Sequence, residues 1–239
     1  MNHSGQIART SRQRRAWTLA ALVALTTAAS SNCAGLAGHV QRESEAWGAF
    51  LVRAVSEALD LSGGHALVLF TSYETLRKTI KGVRSALGNQ SPMILAQGED
   101  DRGRLLRKFR EHNSSVLFAT DSFWEGVDVP GEALRLVIIT RLPFRPPTDP
   151  VAQARRDAVA AKGGNPFMHL TLPEAVIRFR QGFGRLMRRQ DDHGAVLVLD
   201  PRIVRKQYGP LFLDALPTTA RSIKSGEGVM RDLEDFLFS

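Results

Sequence analysis

One cysteine, Cys33, stands in a chain of 239 residues. That excludes an internal disulfide and any four-cysteine zinc or iron–sulfur cluster built from this chain alone. A lone cysteine is more often an incidental small residue than a reactive one, and Asn32 and Ser30 before it fit a lipoprotein site poorly. No Gly-Lys dipeptide occurs anywhere, so the chain has no G-x-x-x-x-G-K-[ST] loop to cradle nucleotide phosphates. Long apolar runs are missing too. The uncharged run from Ala16 to Leu36 is diluted by Thr, Ser, Asn and Gly, and its apolar core is too short for a membrane span. No membrane partner is expected. Internal repeats and low-complexity tracts are absent.

What is present is an ordinary globular composition, 43% apolar and 23% charged, with a formal charge of +8 and a pI near 10.3. The length allows one large domain with appendages. The charge favours a polyanionic partner, nucleic acid or nucleotide phosphates, although Arg9, Arg12, Arg14 and Arg15 supply four of those charges at the very start. There "RTSRQRRAWTLAALVALTTAASSNCAG" has the grammar of a secretory signal: a basic start, an apolar stretch, then small residues. A leader whose Ala/Leu richness only mimics a signal has the same composition, so both readings stand. Residues 1–42 are expected to be poorly ordered. The remainder argues for a cytoplasmic protein, with the signal-like stretch at 16–36 as the dissenting feature.

From about residue 43 strand and helix patterns alternate. "ESEAWGAFLVRAVSEALDL" is an amphipathic helix closed by Gly63 and Gly64, residues suited to a helix C-terminus. Helical patterns recur in "YETLRKTIKGVRSAL" and "DDRGRLLRKFREH". Between and after them lie "HALVLFTS" (65–72), "MILAQ" (93–97), "SVLFAT" (115–120), "LRLVIIT" (134–140) and "GAVLVLD" (194–200). Strands apolar on both faces and separated by helices predict an α/β fold, a mainly parallel sheet covered by helices on both faces.

Ligands of such sheets bind beyond the carboxyl ends of the strands, so the residues there become candidates. Thr71 and Ser72 follow the first strand; Thr120 and Ser122 follow "SVLFAT". Their hydroxyls suit phosphate oxygens, and equally suit turns and helix caps. In "WEGVD", Gly126 permits close backbone approach to a ligand and Asp128 offers a carboxylate for a ribose or an arginine; a plain turn explains the same residues. "RFRQGFGRLMRR" (178–189) packs five arginines into twelve residues. On a helix Gln181, Arg185 and Arg188 form one stripe, with Val176, Phe179, Phe183 and Met187 roughly opposite. Either this is a solvated amphipathic helix, or the stripe meets an anion.

The ordered blocks "VLFTSYETL", "FATDSFWEGVDVPG", "IITRLPFRPPTDP", "RQGFGRLMRR" and "GAVLVLDPR" resemble the C-terminal RecA-like lobe of DinG/XPD-type superfamily two ATP-dependent DNA helicases. The resemblance spans about 45–217. It implies a single RecA-like lobe over 43–217, of the P-loop NTPase type, followed by a linker and short helix over 218–239. It further implies that Arg188 is an arginine finger on the γ-phosphate of ATP, with Arg185 beside it and Gln181 coupling the nucleotide to the cleft between lobes. Glu125, Gly126, Asp128 and Gly184 would lie near the nucleotide, and Thr71, Ser72, Thr120 and Ser122 along the backbone of single-stranded DNA. A planar guanidinium suits the charge spread over a transferring phosphoryl group.

The departures from such a motor are specific. The phosphate loop is missing, no Asp-Glu dipeptide supplies carboxylates for magnesium, and the iron–sulfur cysteines of many relatives are absent. ATP and Mg2+ are then expected to be bound mainly by a first lobe outside this chain, which makes the chain a truncated or fused product, or one subunit of a split motor, inactive alone. Two other classes compete: a nucleic-acid-binding module without turnover, and an exported protein of unrelated function, which only the leader supports.

Overall fold

A computed structural model of the chain describes residues 19–25, 36–112, 114–120, 123, 134–145, 150–184, 194–216 and 221–238. In chain order the elements are β1 (Leu19–Leu25), α1 (Leu36–Ser62), β2 (Ala66–Leu69), α2 (Tyr73–Leu87), β3 (Met93–Ala96), α3 (Arg102–Glu111), β4 (Ser115–Ala119) and β5 (Leu136–Ile139). Then follow α4 (Pro150–Ala161), a π-helical turn (Phe167–Thr171), α5 (Leu172–Phe183), β6 (Gly194–Val198), α6 (Arg202–Arg205), α7 (Gly209–Asp214), β7 (Arg221–Ser225) and α8 (Gly226–Phe238). The strands form one sheet in the order β3-β4-β2-β5-β6-β1-β7, every pair parallel.

The doubly apolar strands dictate the layers. Along β2, Ala66 and Val68 face one side and Leu67 and Leu69 the other, all fully buried, because successive side chains alternate across a sheet. Leu67, Leu69, Val137, Ile139, Val196 and Val198 share a core with Phe109 of α3, Phe179 and Phe183 of α5 and Phe212 of α7. Ala66, Val68, Leu136, Ile138 and Leu197 share the opposite core with Leu51 and Val55 of α1, Ile80 of α2 and Leu233 of α8. Helices cover both faces, as the sequence predicts.

Local chemistry sets the helix ends. Ser72 caps α2 by accepting from the Thr75 amide at 3.4 Å, and Asp101 caps α3 by accepting from the Arg104 amide at 3.0 Å, each removing an orphan donor of a first turn. Gly63 and Gly64 end α1 with φ of 62° and 92°, a left-handed stop that glycine adopts at little cost. Gly64 also passes so close to Ser114 that a Cβ would lie 2.8 Å from its carbonyl carbon.

Two segments depart from expectation. Part of the stretch read as a poorly ordered leader is a strand: Leu19–Leu25 pairs with β6 on one side and β7 on the other. "LAALVAL" is a seven-residue apolar run, and a buried parallel strand and the apolar core of a signal share that composition. The segment read as linker and short helix contributes β7 and the thirteen-residue α8. β7 escapes a hydrophobicity reading because "RSIKS" is mostly exposed, as befits a charged edge strand. Among the described residues no helix is long and apolar enough to cross a membrane.

Candidate functional site

Parallel strands bring their carboxyl ends to one edge of the sheet, and two polar clusters form there. The first joins β3, β4 and β2. Thr120, just past β4, donates to Gln97 Oε1 through its backbone N–H (2.7 Å) and its hydroxyl (2.9 Å). The Gln97 amide in turn donates to the Phe118 carbonyl at 2.9 Å. Tyr73, the first residue of α2, donates its hydroxyl to the Gln97 carbonyl at 3.2 Å. Gly98 follows with φ 95°, and a Cβ there would collide with the Tyr73 hydroxyl. Thr71 and Ser72 leave β2 beside this cluster, since β2 and β4 are paired neighbours. The structure thus brings Thr71, Ser72 and Thr120 to one edge. It also gives Ser72 and Thr120 local duties, as a cap and as a donor to Gln97.

Arg84 clamps the outer end of this cluster by donating from two nitrogens to the two oxygens of Glu99, at 2.7 and 2.8 Å. That hydrogen bonding holds the Glu99 carboxyl below its usual range, against the opposing effect of burial.

The second cluster joins β5 and β6. Asp200, two residues beyond β6, is fully buried. It accepts from the Leu142 amide at 2.8 Å, from the Arg202 amide at 3.0 Å and from Arg202 Nη2 at 2.6 Å. The Arg202 guanidinium also lies over an aromatic face, with its carbon 5.4 Å from the Phe144 ring centre. Arg141 lies over the Trp47 ring of α1 at 4.3 Å. Burial disfavours the charge of Arg141, and the Asp200 carboxylate opposes that effect.

The third component is α5. Its apolar side is buried as the sequence predicts: Phe179 and Phe183 are fully enclosed, with Val176 packed against the same core. Gln181 was expected on an exposed stripe. It is instead half-buried, and its Oε1 is shut off from water without a hydrogen-bond partner. Gly184 is exposed and still donates to the Arg180 carbonyl at 2.9 Å; a Cβ there would make only ordinary contacts, the nearest at 3.4 Å. Arg185, Arg188, Ser122, Glu125, Gly126 and Asp128 lie outside the described residues.

The resemblance implies a nucleotide and a metal beside these groups. Among the described residues no three His, Cys, Asp or Glu side chains gather as metal ligands, so these residues do not form a resident magnesium cage. The Gln181 oxygen is an acceptor closed to solvent and so does not itself meet a phosphate oxygen, whereas the backbone at Gly184 is exposed and uncrowded.

Comparison with known proteins decides the family. Residues 55–219 match the helicase C-terminal domain family. The chain belongs to that family. It is 46% identical over 158 residues to the 3'-5' exonuclease DinG of Bacillus subtilis, covering 65% of this chain and 17% of the relative. It is 44% identical over 165 residues to the ATP-dependent DNA helicase YoaA of Haemophilus influenzae, covering 69% and 25%. A solved XPD helicase superposes with a TM-score of 0.60 at 18% identity, over 87% of this chain and 36% of that one; this likeness concerns the fold alone. The chain spans about a quarter or less of the curated relatives' length.

Sequence reasoning passed over Gln97, Tyr73, Arg141, Asp200 and Arg202. Asp200 carried a usable signal, because it stands immediately after an apolar strand where the strand-end rule points. Gln97 carried none beyond its position.

Proposed function

We propose that the chain is the second motor lobe of an ATP-dependent DNA helicase, working on ATP held by a first lobe. In this reading Arg188 and Arg185 face the γ-phosphate, and Gln181 links the nucleotide to the cleft between lobes. Glu125, Gly126, Asp128 and Gly184 border the nucleotide. ATP with Mg2+ supplies the phosphoryl transfer when bound. This chain's part is to place fixed positive charge against it, since such catalysis relies on positioning and electrostatic stabilisation. Single-stranded DNA lies along the carboxyl edge, its phosphates near Thr71, Ser72, Thr120 and Ser122, which gives binding without sequence preference. We place this activity in the cytoplasm.

The observation that carries the reading is the junction of Thr71, Ser72 and Thr120 at the ends of two paired parallel strands in a helicase C-terminal domain. Ser72 and Thr120 use part of their hydrogen-bonding capacity locally, yet each hydroxyl retains acceptor or donor capacity for a ligand.

The test is magnesium-dependent ATP hydrolysis by the purified chain, alone and with a first lobe carrying a phosphate loop, in the presence and absence of single-stranded DNA. Turnover is expected only with both lobes, and DNA should stimulate it. Robust turnover by the 239-residue chain alone would contradict the reading.

A further inference from the structure

β6 and β7 follow each other in sequence but are not neighbours in the sheet. Between them lies a slot one strand wide, filled from the far end of the chain by β1. Leu19–Val23 run parallel to Gly194–Val198 of β6, and Ala21–Leu25 run parallel to Arg221–Ser225 of β7. Among the described residues β7 has no other strand beside it, so β1 is what joins it to the sheet.

β7 has little to seat it by itself. Every residue of "RSIKS" is exposed except Ser222, which is half-buried, so apolar burial does not hold the strand. It is tied instead to α8: Ser222 donates its hydroxyl to Asp232, and Lys224 Nζ donates to the other Asp232 oxygen at 2.7 Å. α8 buries Val229, Met230, Leu233 and Leu237 in the core it shares with α1. Arg135 Nη2 donates to its Leu237 carbonyl at 2.6 Å. Strand and helix therefore form one unit, with the helix held by packing and the strand by β1. On the other side of the slot, β6 is buried from Gly194 to Val198. Its backbone groups that face the slot are paired by β1. Buried N–H and C=O groups left without partners are costly, and an open apolar edge is a template for other chains.

The same residues carry the signal-like composition. The small residues Ala28, Ala29, Ser30 and Ser31 stand just after β1, where a leader would be cut, and a cut there would remove the strand with the leader. The two fates of the segment exclude each other. We propose that Leu19–Leu25 is retained in the working protein as a clasp strand that locks β7 and its helix α8 onto the sheet, and that its loss opens the slot between β6 and β7. This inference does not depend on the motor reading.

The experiment follows amide hydrogen exchange by mass spectrometry along the full chain, for the wild type and Val23→Pro, and reads the intact mass of the purified wild type. Val23 is paired on both sides, with Val198 and Ile223, and proline cannot donate to a ladder or sit in a central strand. In the wild type the amides of 19–25 and 221–225 should exchange at least about tenfold more slowly than those of an unstructured peptide, and the mass should include residues 19–25. In Val23→Pro both segments should lose that protection together while β2, β4 and β5 keep theirs. A wild type whose 19–25 amides are unprotected, or whose chain begins after residue 25, overturns the proposal. So does a folded Val23→Pro that loses protection at 19–25 and keeps it at 221–225. If Val23→Pro does not fold, the wild type in rising denaturant decides: protection at 221–225 must be lost no later than at 19–25, and a β7 that outlasts β1 overturns the clasp.

Discussion

The two polar clusters at the carboxyl edge do the same mechanical job with different chemistry. Gln97 ties β3 to β4 with a neutral amide oxygen that accepts twice from Thr120. Asp200 ties β6 to the segment after β5 with a carboxylate that is wholly buried and accepts from Leu142 and Arg202. A neutral, half-open tie costs little to form and little to lose. A buried charge is expensive to desolvate and strongly destabilising once its partner is removed. The β5–β6 tie is therefore the one whose loss costs more, and it anchors the segment after β5 at Leu142. The β3–β4 tie is the one expected to cost less when lost.

That contrast is open to direct attack. The largest loss of stability is expected from Arg202→Ala, which leaves the Asp200 charge buried without its guanidinium: about 3–5 kcal/mol by chemical denaturation. A loss under about 1 kcal/mol would show that the β5–β6 tie is not the one whose loss costs more. Phe183→Ala belongs in the same range, about 3–5 kcal/mol, because Phe183 is fully enclosed in the core beneath α5; it sharpens the comparison by giving a purely apolar benchmark. Gln97→Ala should cost less, about 1–2 kcal/mol, the price of two neutral hydrogen bonds at a half-open site. The smallest effect belongs to Glu99→Gln, within about 1 kcal/mol for an ion pair half exposed to solvent. Its sign with pH is fixed. Hydrogen bonding to Arg84 lowers the Glu99 carboxyl in the folded state, so the contribution is present above the ordinary carboxylate pKa and disappears as pH falls through the lowered value. Melting curves of wild type and Glu99→Gln should therefore differ near neutrality and converge in acid. A difference that grew in acid would reverse the assignment.

Legibility followed burial. β2, β4, β5 and β6 were readable because each is apolar on both faces, a pattern that only a covered parallel sheet explains. The apolar side of α5 was readable for the same reason, through Phe179 and Phe183. Where burial gives no pattern, the sequence was silent. α4 has no buried residue and hence no stripe to detect, β7 is an exposed polar edge, and β1 hid inside a signal-like composition. At the site, hydroxyls at strand ends were legible from topology. Their local partners were not: Gln97 is brought to Thr120 from twenty-three residues away, and Gln181 was expected outward but has its Oε1 enclosed. Helical spacing gives the direction of a side chain and leaves open what the rest of the fold packs over it.

The central claim is that this lobe presents arginine to a nucleotide held elsewhere, and one comparison reaches it most directly: thermal melting of Arg188→Ala beside its DNA-stimulated ATPase rate when combined with a first lobe. The account predicts melting within about 0.5 kcal/mol of wild type together with a fall in kcat of about a thousandfold or more. Arg188→Lys should recover little of it, because a point charge lacks the planar fork. An Arg188→Ala lobe that unfolds while turnover per folded molecule stays normal would make the arginine structural and contradict the account.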